Sequence, residues 1–537
     1  MVKVPEFRSV PDPDSLARNA ERLAAKGNLA AAQSAAEAAL ALAPENPLAL
    51  RVAGSIAWRS GQHEVAEGYL RRALEQGAEA PQVRRELAAC LADQGDVARA
   101  IALLPKPAPN DADAWFELAE LHDRNADGQP ALEAAERVES LQPGHGGAQL
   151  LIARALVALG RIDEAAARYR KLTRRPGLAA RAWFGLLDLK TVPIAAEELR
   201  TLERLATRQG ASDEEKLLAG YALGQAYEMA GRPTDAVRAF DLANRRSRRL
   251  IGWDAAIFSH AVDVNLEAFP DAASQAVAET RSDRGSEVIF ILGMPRSGTT
   301  LVEHILAAHS QVVAASELPD IGLILAAEST RRSQPFPTWV GDATAADWQR
   351  LGAEYLARTE RWQGRARFTD KMPENWLYLG AILRMLPGAR VIRCEREPLE
   401  TAWSCYKQLF APGRFGWSYD YDSLAAYVAD ERRQWQHFER QHPRRCYRLA
   451  HEALVADLEG QVRALLAFVG LDYEPGCLNF NATRNETRTA SAAQVRKPLD
   501  RATARRGAYG QALDPLARAL ARADARLLGA GLSAPVV

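Results

Sequence analysis

The fold of the C-terminal half is decided by Val288-Ile-Phe-Ile-Leu-Gly293-Met-Pro-Arg296-Ser297-Gly298-Thr299-Thr300-Leu-Val-Glu-His-Ile-Leu306. The apolar run followed by glycines and a helical pattern predicts a buried strand, a tight turn and a helix. At such a helix N-terminus, backbone N–H groups without helical partners converge with the positive end of the helix dipole. The stretch therefore predicts a phosphate-binding loop.

The side chains of this loop indicate which kind of phosphate-containing ligand it binds. Its two glycines have the spacing of nucleoside-triphosphate loops, but Thr299 stands where the lysine of that motif would be. Arg296 supplies a cation from within the loop instead, and Ser297, Thr299 and Thr300 can donate hydroxyls to phosphate oxygens. A kinase or NTPase is disfavoured, and a glycine turn that serves only close packing is the remaining structural alternative.

A second anion motif follows the apolar run Arg390–Glu395. Arg396 ends this predicted strand and Ser404 lies two turns into the next helical pattern, so both can point at one anion over the sheet's C-terminal edge. Lys407 lies one turn further on the same face. Short apolar runs alternate with longer helical patterns such as 423–440, which predicts βαβ units around a mainly parallel sheet.

The N-terminal half shows an internal repeat. Gly27, Gly61 and Gly95 recur at one constant interval, each between two Ala- and Leu-rich stretches with helical spacing. Pro44 and Pro143 stand where a helix cannot continue. The pattern predicts about six helical hairpins, although it is degraded between residues 177 and 212.

These patterns resemble two known families. The hairpins resemble tetratricopeptide repeats, and Pro-Arg-Ser-Gly-Thr-Thr at 295–300 resembles the 5′-phosphosulfate loop of sulfotransferases, especially the tyrosylprotein sulfotransferases. Those enzymes use 3′-phosphoadenosine-5′-phosphosulfate (PAPS) as donor. The resemblance implies a tetratricopeptide-type α-solenoid over 13–250 and a P-loop-like α/β sulfotransferase domain with a mainly parallel sheet over 287–531.

The resemblance also implies roles for individual residues. The donor-binding set comprises Arg296, Ser297, Gly298, Thr299 and Thr300 at the phosphosulfate, Arg396 and Ser404 at the 3′-phosphate, and Arg496 and Lys497 in a late loop. The catalytic set comprises Glu317 as general base, Lys371 and Arg296 as cations at the transferring group, and Ser491 as a further active-site member.

Some of these residues can also have purely structural roles. Glu317 can be a carboxylate at a helix N-terminus, Lys371 a solvated partner of Asp370, and His309 a competing base or a partner of the helix dipole. His451 stands where the family has tyrosine, so no contact with adenine or acceptor is assigned to its segment.

The composition of the chain argues against several classes of binding partner. The chain has 537 residues, and Lys+Arg and Asp+Glu both total 68, which argues against nucleic acid as a partner. Its five cysteines form no C-x-x-C pair, so neither a disulfide framework nor a metal site is expected. The first residues lack an apolar run of signal-peptide length and no later run reaches membrane-spanning length, so we expect a cytoplasmic protein without a membrane partner.

The expected function is sulfuryl transfer from PAPS to an acceptor hydroxyl, with tyrosine of a protein or peptide as the leading acceptor by resemblance. The repeat array would contact that protein or peptide substrate. Alternatively, the array forms a homodimer interface or serves only as a scaffold. Two alternative functions remain. The acceptor can be a carbohydrate or small molecule, or the protein can be a repeat scaffold with an inactive nucleotide-binding domain.

Overall fold

A computed structural model describes residues 12–78, 80–125, 127–190, 192–270, 282–410, 415–482 and 506–529. The chain divides into two compact units, Met1–Leu151 and Ile152–Val537. None of the described helices is long and apolar enough to cross a membrane.

The first unit is built from successive helices. They are α1 (Pro13–Ala25), α2 (Leu29–Leu42), α3 (Pro47–Arg59), α4 (His63–Glu75), α5 (Ala80–Asp93), α6 (Val97–Leu103), α7 (Ala112–Arg124), α8 (Gly128–Leu141) and the first part of α9 (Gly146–Ala158). Neighbouring helices pack as hairpins whose cores are mostly alanine and leucine, small enough for close approach. Asn28, Asn46 and Asp111 cap the starts of α2, α3 and α7. The predicted helical repeats are confirmed.

The second unit begins with further helices of the same kind. They are α10 (Ile162–Leu172), α11 (Ala179–Asp188), α12 (Ala196–Ala206), α13 (Asp213–Met229) and α14 (Pro233–Leu250), followed by α15 (Ala255–Ala268). The segment 177–212, whose repeat pattern is degraded, thus forms two helices in its described part. The described helices α1–α14 amount to seven pairs, against the six or so expected.

A five-stranded parallel sheet forms the α/β part of the second unit. Its strands are β1 (Val288–Gly293), β2 (Val312–Ala314), β3 (Arg367–Asp370), β4 (Arg390–Glu395) and β5 (Cys446–Ala450), in the order β2-β3-β1-β4-β5. Its helices are α16 (Thr299–Ala307), α17 (Asp320–Arg332), α18 (Ala345–Arg358), α19 (Leu379–Met385), α20 (Pro398–Tyr406), α21 (Tyr421–Gln441), α22 (His451–Ala456), α23 (Leu458–Val469), α24 (Arg506–Tyr509) and α25 (Asp514–Gly529). All described strand pairs are parallel, as predicted.

The central strand β1 explains where a site can form. Phe290 and Leu292 pack into one hydrophobic core, and Ile289 and Ile291 into another on the opposite face of the sheet. A strand covered on both faces leaves only its ends accessible, and the carboxyl ends of parallel strands share one edge. The segments that follow β1 to β5 therefore meet at that edge.

Candidate active site

The loop after β1 is shaped by backbone constraints. Gly293 has a positive φ, and a Cβ there would lie 2.5 Å from the carbonyl oxygen of Cys394, so only glycine fits. Arg296 also has a positive φ, an uncommon conformation for a residue with a side chain. Gly298, in the left-handed region as well, then turns the chain into α16. The loop thus presents the N-terminus of α16 to the sheet's carboxyl edge.

Ser297 marks this loop as a place for an anion. Its side chain is buried, and its Oγ has no hydrogen-bond partner among the described residues. Thr299 and Thr300, the first residues of α16, are buried beside it. A buried hydroxyl without a partner is costly unless a ligand completes it, so the residues present fit a phosphate-type group.

Ser404 of the second predicted anion motif contacts the loop that follows β1. The Nε of Arg296 donates a 3.1 Å hydrogen bond to the Oγ of Ser404 on α20, and the Sγ of Cys405 donates to the carbonyl of Pro295. The start of the loop and the middle of α20 are therefore fixed to one another, although more than a hundred residues separate them.

Arg396 follows the end of β4, the strand next to β1, at the same edge. Its guanidinium is 3.7 Å from the carboxylate of Glu400 in the first turn of α20. Burial, together with the positive charge of Arg396, lowers the pKa of His451 at the start of α22. The Nδ1 of His451 would lie only 3.2 Å from a Cβ placed on Gly298, so this ring lines the loop. The sequence assigned it no contact.

The predicted base and the predicted second cation form a pair. The ammonium of Lys371 is fully buried and donates a 2.7 Å hydrogen bond to Oε1 of Glu317, whose side chain is 34% exposed. Ser316, which has a positive φ, immediately precedes Glu317, and its carbonyl accepts from the backbone N–H of Lys371. Lys371 is thus not a solvated partner of Asp370.

Two buried carboxyl groups support this pair, and no sequence pattern had predicted either of them. Glu303 on α16 accepts from the N–H of Ser316 at 3.0 Å and from the hydroxyl of Thr369 at 2.9 Å. Burial raises the pKa of Glu303, although Lys371 acts in the opposite direction. Burial also raises the pKa of Asp370, which accepts from the hydroxyl of Tyr355. Glu303 thus ties the segment that carries Glu317 to the end of β3 that precedes Lys371, and Asp370 fixes that strand end against α18.

Other candidates lie elsewhere or outside the described residues. His309 follows the far end of α16, roughly 13 Å of helix from the loop. Its ring bonds with the carbonyl of Asp472 and accepts from the N–H of Gln311, so both ring nitrogens are engaged at that end of the helix. Ser491, Arg496 and Lys497 lie outside the described residues.

Repeat helices of the second unit reach the end of α20. Asn244 on α14 is buried and donates a 2.8 Å hydrogen bond to the carbonyl of Tyr406. Lys407 forms an ion pair with Glu228 on α13. The segment after Ser404 is therefore held by the repeats, and the Lys407 side chain that the sequence placed near the anion site engages a repeat carboxylate.

No group of His, Cys, Asp or Glu side chains within the described ranges is arranged to hold a metal ion. Residues 288–475 match the family model described as "Sulfotransferase family", and residues 18–81, 52–106 and 150–189 match a tetratricopeptide-repeat model. The chain carries tetratricopeptide repeats followed by a sulfotransferase-family domain. The matched sulfotransferase segment contains the loop, Glu317, Lys371 and Ser404, and it supports a sulfotransferase activity.

Two curated proteins resemble the repeat–sulfotransferase chain. One is an uncharacterized protein of Aquifex aeolicus, 29% identical over 390 residues, which cover 69% of this chain and 50% of that protein. The other is the nodulation protein NoeE of Sinorhizobium fredii, 30% identical over 134 residues, 22% of this chain and 30% of that protein. The chain thus spans half the length of the first relative and less than a third of the second.

Two solved structures are similar to separate parts of the chain. The sulfotransferase domain of the Synechococcus PCC 7002 olefin synthase is 18% identical, with a TM-score of 0.30, over 45% of this chain and 98% of that one. A tetratricopeptide repeat protein from Parabacteroides merdae is 17% identical, with a TM-score of 0.36, over 46% of this chain and 95% of that one.

Proposed function

We propose that this protein transfers the sulfuryl group of PAPS to an acceptor hydroxyl, and that the acceptor is a tyrosine of a protein or peptide. The observation that carries the proposal is the convergence, at one sheet edge, of the loop holding Arg296 and Ser297 with the pair Lys371–Glu317. One half supplies an anion site, and the other supplies a base beside a cation.

The donor would supply an activated sulfuryl group, whose sulfur gains a bond to the acceptor oxygen as its bond to the 5′-phosphate oxygen breaks. Ser297, Thr299, Thr300 and the N-terminus of α16 at Gly298 would hold the 5′-phosphate end of the donor. Arg396 and Ser404 are assigned to its 3′-phosphate. Ser491, Arg496 and Lys497 remain further proposed members of the site.

The catalytic roles follow from charge and access. Glu317 is open to solvent and can take the proton of an approaching hydroxyl, while Lys371 fixes the direction of its carboxylate. Arg296 and Lys371 would offset the negative charge that develops on the leaving phosphate. Neither role calls on a metal ligand.

The choice of tyrosine rests on two arguments. A carboxylate is a weak base at neutral pH, and a phenol with a pKa of about 10 gives up its proton far more readily than an aliphatic alcohol does. Tetratricopeptide solenoids also present a concave surface suited to an extended peptide. The repeat array is proposed to contact the protein or peptide substrate.

The test is calorimetric titration with adenosine 3′,5′-bisphosphate, the product left when PAPS loses its sulfuryl group. ATP is the control ligand, and Arg296→Ala and Arg396→Ala are the test variants. We expect the wild type to bind the bisphosphate and not ATP, and each variant to lose about tenfold or more in affinity. A preference for ATP, or no binding of either nucleotide, would contradict the proposal.

A further inference from the structure

A lysine from the repeat array reaches the segment that carries Ser404. The Nζ of Lys190, two residues beyond α11, donates a 2.9 Å hydrogen bond to Oε1 of Gln408 and lies 3.4 Å from a carboxylate oxygen of Asp188. Gln408 in turn donates to Asp188 at 3.4 Å. Gln408 is buried and follows α20 by two residues, so a repeat side chain is fixed against the catalytic domain within one compact unit.

The backbone at Lys190 is adapted to this position. Its φ is positive and lies in the left-handed region, which residues with side chains rarely adopt. The N–H of Lys190 bonds with the carbonyl of Leu187, which closes the turn after α11. Strained residues of this kind persist where the surroundings hold them and are frequent at functional sites. The side chain is only 19% exposed, so its charge is placed in the interior.

Lys190 belongs to a cluster of cations. Gln408, which accepts from Lys190, follows Ser404 by four residues, and Ser404 accepts from Arg296. Burial lowers the pKa of Lys190, and the positive charges of Arg296 and Lys407 lower it further, so the three cations lie within electrostatic reach of one another. Asp188 and Glu228 compensate part of this charge. Like charges held together in a partly buried place are stabilised by an anion, and Arg296 already lines the phosphate loop.

We infer that Lys190 is a donor-binding residue supplied by the repeat array, and that it contacts the phosphosulfate end of the nucleotide held by the loop at 294–298. This inference rests on the proposed function, because the nucleotide is the donor proposed there. Its consequence is that the repeat array, at the turn after α11, is part of the donor site and does more than present an acceptor.

The experiment measures adenosine 3′,5′-bisphosphate affinity by calorimetry in the full chain. Lys190→Met removes the charge and keeps the aliphatic stem, Lys190→Arg keeps the charge, and Lys171→Met changes an exposed lysine of α10 as a matched control. Thermal unfolding of each variant shows whether its fold is intact. We expect Lys190→Met to weaken binding about tenfold, Lys190→Arg to stay within about threefold of wild type, and Lys171→Met to bind as wild type does.

The outcomes separate the two proposals. If Lys190→Met binds the bisphosphate as wild type does while Arg296→Ala loses affinity, the donor is right and the role of Lys190 is wrong. If the wild type itself does not bind the bisphosphate, the proposed function fails and this inference falls with it.

Discussion

The fully buried ammonium of Lys371 donates a 2.7 Å hydrogen bond to a Glu317 carboxylate that remains open to solvent. An ammonium in the interior is unfavourable unless acids compensate it, and Glu317 does so together with the nearby buried Glu303. A fold gains little stability from such a pair. Its value lies in fixing a carboxylate and a cation side by side at the sheet edge.

Lys371→Met should therefore separate activity from stability. We expect sulfuryl transfer to be lost, since the cation at the leaving group and the orientation of Glu317 both disappear. The free energy of unfolding should stay within about 1 kcal/mol of wild type, because Glu317 can be hydrated and Glu303 can take a proton. Denaturant unfolding and initial rates measure both, with Lys171→Met as control. A large loss of stability with normal turnover would make the pair purely structural.

Ser297→Ala is expected to weaken adenosine 3′,5′-bisphosphate binding about fivefold to tenfold without loss of stability. The reason is that its buried Oγ has no described hydrogen-bond partner to lose on mutation, yet it faces the proposed phosphate. Calorimetry and thermal unfolding give the two readouts.

Ser329, a serine whose hydroxyl does have hydrogen-bond partners, provides the opposite control. The Oγ of Ser329 accepts from the N–H of Phe336 and from Nε1 of the buried Trp339. Ser329→Ala should cost about 1–3 kcal/mol of stability and leave nucleotide affinity unchanged. Equal nucleotide affinity in Ser297→Ala and wild type would remove Ser297 from the site.

Bisphosphate affinity should fall as the pH rises through about 8. Burial lowers the pKa of Lys190 to about 8, helped by Arg296 and Lys407 and opposed by Asp188. Below that pH the side chain is charged and attracts the phosphate. Above it, binding must take up a proton, so affinity drops with each further increase. Glu228 faces the same cluster through its ion pair with Lys407.

Lys190→Arg separates this effect from other titrations, because a guanidinium stays charged over the whole range. Calorimetry between pH 7 and about pH 9 should show a decline for wild type and none of comparable size for the variant. Parallel declines in both proteins would show that another group is responsible.

The fold could be predicted where local sequence and tertiary structure agree. The apolar run of β1, its glycine turn and the start of α16 are encoded within one short continuous stretch, and the long amphipathic pattern at 423–440 lies inside α21. Helices α11 and α12 lie in the segment where the repeat pattern degrades. Their packing on α13 holds this segment, and a local pattern does not record such contacts.

The sequence places the candidate site residues in particular loops but does not predict the contacts between their side chains. Spacing paired Arg396 with Ser404, whereas the structure shows a hydrogen bond from Arg296 to Ser404 and places Arg396 beside Glu400. Side-chain directions across separate loops are set by packing, which spacing does not encode. The contact of Lys190 could not be predicted from a local pattern, because its partner Gln408 is 218 positions away. Glu303 could have been noticed as an acidic residue in a largely apolar helix.

The central claim is tested most directly by incubating the protein with sulfur-labelled PAPS and a library of tyrosine-containing peptides, then locating the label by mass spectrometry. Glu317→Gln, which keeps the shape of the side chain and removes the base, is the matched variant. We predict label on tyrosine with wild type and a rate lower by about 100-fold or more with the variant, whose bisphosphate affinity stays normal. Absence of transfer from PAPS with wild type, or equal transfer by Glu317→Gln, would contradict the account.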